Sequence, residues 1–335
     1  MTRFGANLML FFAAFCWGAG NVAQKTVLDD LGPMLAMGLR SLIALAFIMP
    51  LVVREAKSSR PITDGQWREL ALVSVFFCLA LFFQQFAYGG TSVTNASFLV
   101  NTTVVFTPIL AFAMMGERPG LLVLPAVALA LAGVALMGGG LTVLQWGDIC
   151  CIVSAILYSV WIVLVARVAR TMERPFAIAA CQFGFAAVVG TVFGLACETI
   201  SLAALTRAAP ELLILGVVST GIAYSLQAIA QRWTPPSDAA VVMSAESVFG
   251  AATAAILLGE QLSPAGTLGA VLILAAILLI QVPVPEVLKW RRPVAKAGLA
   301  RPPPLRARRA VYARFDGRRA LFAGAGWPAR SRLRS

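Results

Sequence analysis

The chain has 335 residues, of which 59% are hydrophobic and only 13% charged, with a mean hydropathy of +0.84. A soluble domain carries about 25% charged residues, and one of this size would leave its surplus apolar side chains in water, so composition excludes an ordinary soluble globule. The net charge of +12 does not mark a nucleic-acid binder either: residues 1–283 hold 13 basic and 13 acidic side chains, while residues 284–335 hold 14 and 2.

Histidine is absent and the six cysteines form no CxxC. That removes a Cys/His zinc site and any Ser-His or Cys-His catalytic couple. The cysteines are expected to pack as small hydrophobes, and neither a metal nor a cofactor is expected.

A membrane span takes about 20 mainly apolar residues. Read from the N-terminus, the first such segment is 7–28, long enough to be a retained span rather than a signal peptide. The others follow at 33–53, 69–89, 93–115, 120–140, 146–168, 175–197, 210–230, 236–258 and 264–283. Turn-forming residues separate them, as at Gly32-Pro33, Arg118-Pro119 and Ser263-Pro264. The fold class expected is an all-α membrane protein of ten transmembrane helices. The loops that lie inside if the N-terminus is inside carry ten Lys or Arg residues, and the other loops only Lys25 and Arg207. That bias predicts both termini in the cytoplasm of a multi-pass protein of the cell (inner) membrane.

The chain also resembles itself. Residues 91–120 align without gaps on residues 234–263, pairing Thr91 with Thr234, Phe106 with Phe249 and Gly116-Glu117 with Gly259-Glu260, and Gln84 falls on Gln227 at the same offset. One residue less pairs Lys25 with Arg167 and Pro33 with Pro175. With five spans in each half, the second half must enter the membrane from the opposite side, giving a 5+5 inverted repeat of the kind found in many secondary transporters. The expected domains are 7–140 and 146–283, followed by a basic tail at 284–335 that is too rich in Arg, Pro and Gly for a core. Lys289, Arg291 and Arg292 are placed to meet anionic lipid head groups, and no nucleic-acid fold accompanies the charge.

Several residues give the chain a resemblance to the EamA family of the drug/metabolite transporter superfamily. They are Trp17-Gly18 with Asn21 and Lys25, Pro33 and Arg40, Thr91 to Pro108 leading into Gly116-Glu117-Arg118, Gly147-Asp148, Pro235, and Gly259-Glu260-Gln261. The resemblance implies ten spans, cytoplasmic termini and a central cavity, and typically export of amino acids, metabolites or amphipathic drugs. The halves differ at two of these positions, with Gln182 where Arg40 stands and Ser159 where Trp17 stands.

A few polar residues within the spans are candidates for a substrate cavity. Arg40 lies seven residues beyond Pro33, about 10 Å into the membrane, where a charge is costly unless it meets a cavity or a partner. It is expected to contact an anionic or carboxylate-bearing substrate, with a structural ion pair or snorkelling to the outer surface as the alternative. Glu246, near the middle of the ninth span, is the candidate for proton coupling, with a fixed partnership to Arg40 or to a polar helix face as the alternative. Trp17, Asn21 and Gln24 share one face of the first span. Gln84 with Tyr88, Asn101 with Ser97 and Thr94, Tyr158 with Trp161, and Tyr224 with Gln227 and Gln231 form similar stripes. Lipid offers such side chains no partner, so they should face inward, lining a cavity or gluing helices together. Pro108 is expected to kink the fourth span. The stripes Ala126, Ala130, Gly133 and Ala265, Gly269 are expected to pack helices closely, with a homodimer face as a second use.

The leading functional reading is therefore a secondary transporter, an exporter working by alternating access. A passive facilitator or channel and a non-transporting receptor or scaffold are the alternatives. No GxxxxGK[ST], HExxH or GxSxG occurs, which leaves no signature of ATP use or of a membrane enzyme.

Overall fold

Lipid supplies no hydrogen-bond partners, so an apolar segment that crosses it must satisfy its own backbone, and a helix does so. The computed structural model describes residues 1–59, 61–91, 93–137, 145–258 and 263–282, within one compact unit, Met1–Lys289. The basic tail and the second Gly-Glu pair, Gly259-Glu260, lie outside the described residues. Among the described residues there are helices and no strand.

The first half comprises α1 (Arg3–Thr26), α2 (Pro33–Ser58), α3 (Asp64–Ala87), α4 (Val93–Val100), α5 (Thr103–Met115) and α6 (Val123–Met137). The second comprises α7 (Trp146–Met172), α8 (Pro175–Cys197), the short α9 (Leu202–Arg207) and α10 (Ala209–Leu213), a π-helical stretch Ile214–Ile222, α11 (Ala223–Ala230), α12 (Pro236–Met243), α13 (Ala245–Leu258) and α14 (Pro264–Gln281). The first four residues after a helix start have no intrahelical acceptor for their N–H groups. Proline, which has none to lose, opens α2, α8, α12 and α14. Thr2, Thr63 and Ser263 cap α1, α3 and α14 through their hydroxyls.

Nine helical stretches are long and apolar enough to cross a bilayer, and Val123–Leu136 is a shorter apolar helix among the described residues. The outer surface is apolar, with Phe4, Leu124, Val188, Ile256 and Leu278 all exposed. The interior holds Arg40, Gln84, Gln85, Gln182, Gln227 and Gln231. This inside-out distribution is what a lipid solvent selects.

Two of the expected spans are broken, at equivalent places. The fourth is divided between α4 and α5 at Asn101-Thr102, and the ninth between α12 and α13 at Ser244. At the repeat offset of 143, Asn101 falls on Ser244. Pro108 lies inside α5 and is not the break; the chain turns seven residues earlier, where Thr102 Oγ1 donates to the Leu99 carbonyl at 2.6 Å.

Packing follows the repeat. α2 packs on α8 and α6 on α14, each pairing a helix with its own counterpart. α3 packs on α7, and its counterpart contact joins the π-helical stretch and α11 to α1. The α2–α8 seam has a carboxylate at each end. Glu198, just past α8, accepts from Met34 N at 2.8 Å and Leu35 N at 2.9 Å. Glu55, near the end of α2, accepts from Ala177 N at 2.8 Å and Phe176 N at 3.2 Å. Negative charge at a helix N-terminus is favourable by roughly 0.3–1 kcal/mol. Between these caps the backbones nearly touch: a Cβ on Gly190 would lie 2.5 Å from Gly38 N, so neither position has room for a side chain.

The stripe on α6 meets α14 in the same way, with Gly133 facing the Gly269 carbonyl. Ala265 is exposed and Gly266 takes the buried place. The cysteines are free; Cys16, Cys78 and Cys151 are buried as expected, but Cys197, at the end of α8, is exposed.

The interhelical ion pairs sort into two ends. At one end Arg3 pairs with Asp238, Arg170 with Glu117, Arg232 with Glu173, and Arg167 with Glu69 at 3.2 Å. At the other, Arg207 pairs with Asp30 at 2.6 Å. Each pair joins residues that an alternating up-and-down path puts at the same end.

Candidate substrate cavity

Inside the bundle is a small cavity of about 50 Å³, room for a few waters in this conformation. Its wall comes from α1, α2, α3, the α4–α5 break, α7, the π-helical stretch, α11, and the α12–α13 break. Of the residues expected from sequence, Trp17, Asn21, Gln24, Arg40, Gln84, Asn101, Tyr158, Trp161, Tyr224, Gln227 and Glu246 all line it. Tyr88 and Gln182 do not. Tyr88, the C-cap of α3, is buried with 1% exposure but is not part of the lining. Gln182 stands behind the wall and accepts a hydrogen bond from Trp161 Nε1 at 2.9 Å, which fixes that indole. Thr94 belongs to α4, but its side chain is outside the described residues.

Arg40 is buried, with 1% exposure. Its Nε donates to Thr220 Oγ1 at 2.9 Å, Nη1 to Gln24 Oε1 at 3.1 Å, and Nη2 to Ser219 Oγ at 3.2 Å. All three partners are neutral, and no carboxylate among the described residues lies within 4.0 Å. The sequence reading did not include Ser219 or Thr220. The stretch that carries them is a π-helix, whose wider turn sets both neighbouring hydroxyls on the guanidinium.

Glu246 lies in the first turn of α13, at the break in the ninth span. Its Oε1 accepts from Asn21 Nδ2 at 3.2 Å, and the same amide donates to Ser97 Oγ at 3.1 Å. Asn101 Nδ2 ties the two breaks together by donating to the Ser97 carbonyl at 2.8 Å and to Ser247 Oγ at 2.7 Å. Arg40 and Glu246 thus face one cavity without pairing to each other.

The remaining wall is aromatic. Tyr224 lies tilted against Trp17 at 5.0 Å and meets Phe77 and Trp161 edge to face at 4.9 Å and 5.4 Å. Tyr158 shares hydroxyl contacts with Gln84 Oε1 at 2.8 Å and Tyr224 Oη at 3.1 Å. Three buried polar atoms of the wall have no partner: Trp17 Nε1, Gln24 Nε2 and Gln227 Oε1. A buried donor or acceptor left unmade costs about 1–3 kcal/mol. Two spare donors and a spare acceptor in a wall that also holds Arg40 suit a solute bearing an acceptor group and a donor group. No cluster of three or more His, Cys, Asp or Glu residues able to hold a metal occurs among the described residues.

An all-helical bundle with an apolar exterior, a polar cavity at broken helices and two matching halves is a multi-pass membrane protein of the transporter class. The EamA-like transporter family matches residues 4–139 and 145–282. The chain belongs to that family, part of the drug/metabolite transporter superfamily, and is a membrane transporter rather than an enzyme. An uncharacterized transporter of Archaeoglobus fulgidus is 27% identical over 291 residues, covering 84% of this chain and 87% of the relative. A second uncharacterized transporter of the same organism is 27% identical over 194 residues, or 56% of this chain and 64% of the relative. A crystal structure with 18% identity superposes with a TM-score of 0.69, covering 83% of this chain and 97% of its own, which is a likeness of fold.

Proposed function

We propose that the protein is a secondary transporter that exports a small solute bearing a carboxylate or similar anionic group, of the size of an amino acid or small amphipathic drug. The observation that carries this reading is Arg40, buried with only neutral partners beside unsatisfied donors of the cavity wall. A desolvated cation with no carboxylate in direct contact is expensive, and an anionic substrate would supply that contact. The aromatic wall receives the apolar part of the solute, and Glu246 serves as the proton carrier of the cycle. The two five-span halves insert in opposite senses in the cell membrane, with the Arg-rich end in the cytoplasm.

The test is growth of an overexpressing strain against amino acids and drugs, followed by flux of each hit in proteoliposomes with and without an imposed proton gradient. Accumulation driven by the gradient supports the reading. Flux that only follows the solute gradient makes the protein a facilitator, and binding without flux makes it a receptor.

A further inference from the structure

The two ends of the bundle are tied by repeat-equivalent threonine hydroxyls whose partners differ in chemistry. At the Arg-poor end, Lys25 in the last turn of α1 donates from Nζ to the Tyr88 carbonyl, at the C-terminus of α3, and to the Thr91 carbonyl at 3.3 Å. Thr91 Oγ1 donates in turn to Asp148 Oδ1 at 2.6 Å. Asp148 Oδ2 accepts from Gln145 N at 2.9 Å, which fixes it in the first turn of α7. One chain of contacts therefore joins α1, the α3–α4 turn and α7. The turn also fits α7 closely, because a Cβ on Gly147 would lie 2.5 Å from the Gly90 carbonyl carbon.

At the Arg-rich end, Thr234, the counterpart of Thr91, contacts Asn7 Oδ1 from its hydroxyl at 2.9 Å. The hydroxyl link recurs with a neutral amide in place of the carboxylate. The cation does not recur. Arg167, the counterpart of Lys25, pairs instead with Glu69.

We propose that the Lys25–Tyr88–Thr91–Asp148 chain is the gate of the cavity at the Arg-poor end, with Lys25 as the side chain that must release for solute to pass. This rests on the transporter reading above. The chain sits directly over the cavity wall: Gln24, which lines it, precedes Lys25, and Gln84, which also lines it, is one turn before Tyr88. The helix dipole of α3 favours an ammonium at its C-terminus. Neutral carbonyls hold Lys25 without a direct carboxylate, and Lys25 is only partly buried, so release strands no unpaired charge.

The test uses the full chain in intact cells, with Cys197→Ser to remove the exposed thiol and Val100→Cys as a reporter in the cavity wall. A membrane-impermeant maleimide reads how fast the reporter is reached from the Arg-poor end. Lys25→Met is expected to speed labelling about tenfold, the scale of one lost charge-assisted hydrogen bond. Asp148→Asn should raise the rate by a smaller factor, Lys25→Arg should restore it, and Arg167→Met should leave it unchanged. Equal rates with and without Lys25→Met overturn the gate. If Lys25→Met does not reach the membrane, Asp148→Asn decides by the same comparison. Leu202→Cys, exposed at the same end, is the orientation control. If it is not labelled in cells, the orientation is wrong, and inside-out vesicles then test the gate.

Discussion

The α2–α8 seam and the cavity wall are built from the same repeat and behave oppositely. At the seam the halves are near copies: Glu55 and Glu198, 143 residues apart, cap each other's helices, and Gly38 meets Gly190. At the wall the halves diverge. Arg40 stands opposite Gln182 in the repeat, the helices break or widen, and polar atoms are left without partners. Where the halves hold each other, the two helix N-termini are capped alike; at the cavity, the likeness is given up.

That contrast can be broken most sharply at Arg40. Arg40→Ala should weaken substrate binding and flux about a hundredfold, the loss of a charged, multiply hydrogen-bonded anchor, with the thermal midpoint in detergent little changed. Binding within a few-fold of the parent would remove the anion site. Glu246→Gln should abolish proton-driven accumulation, at least about tenfold in rate, while equilibrium binding persists; unchanged pH-driven transport removes the coupling role. On the seam, Gly190→Leu should overpack the helix crossing by about 1–3 kcal/mol, lowering the thermal midpoint and yield; a midpoint equal to the parent's would show that the seam has slack. The smallest effects are expected for Glu55→Ala and Glu198→Ala, each costing about 1 kcal/mol as a lost cap. The two midpoint losses should be alike, since the geometry is alike, and unequal losses would show that the ends are not equivalent.

Much of this was readable in the residues. Hydropathy located the helices because span length is set by bilayer thickness. The polar stripe Trp17, Asn21, Gln24 pointed to the cavity because lipid leaves such groups nowhere else to go. The breaks were not legible. Asn101-Thr102 and Ser244 contain neither Pro nor Gly, and the turn at each is made by a side chain bonding to a nearby carbonyl, which periodicity does not register. Pro108 drew attention instead. Ser219 and Thr220 were missed because an α-helical register of about 100° per residue does not put neighbours on one target. Tyr88 and Gln182 carry the right chemistry for a cavity but are buried without reaching its surface, a distinction that depends on tertiary depth.

The widened turn at Ile214–Ile222 has one further consequence. A π segment takes in a surplus residue without shifting the phase of the helix on either side. Trimming one position there should let the backbone tighten to ordinary pitch, leaving Tyr224 and Gln227 aimed as before and taking away the pair of hydroxyls that orient the guanidinium. A single codon would then separate what shapes the chamber from what orients its guanidinium.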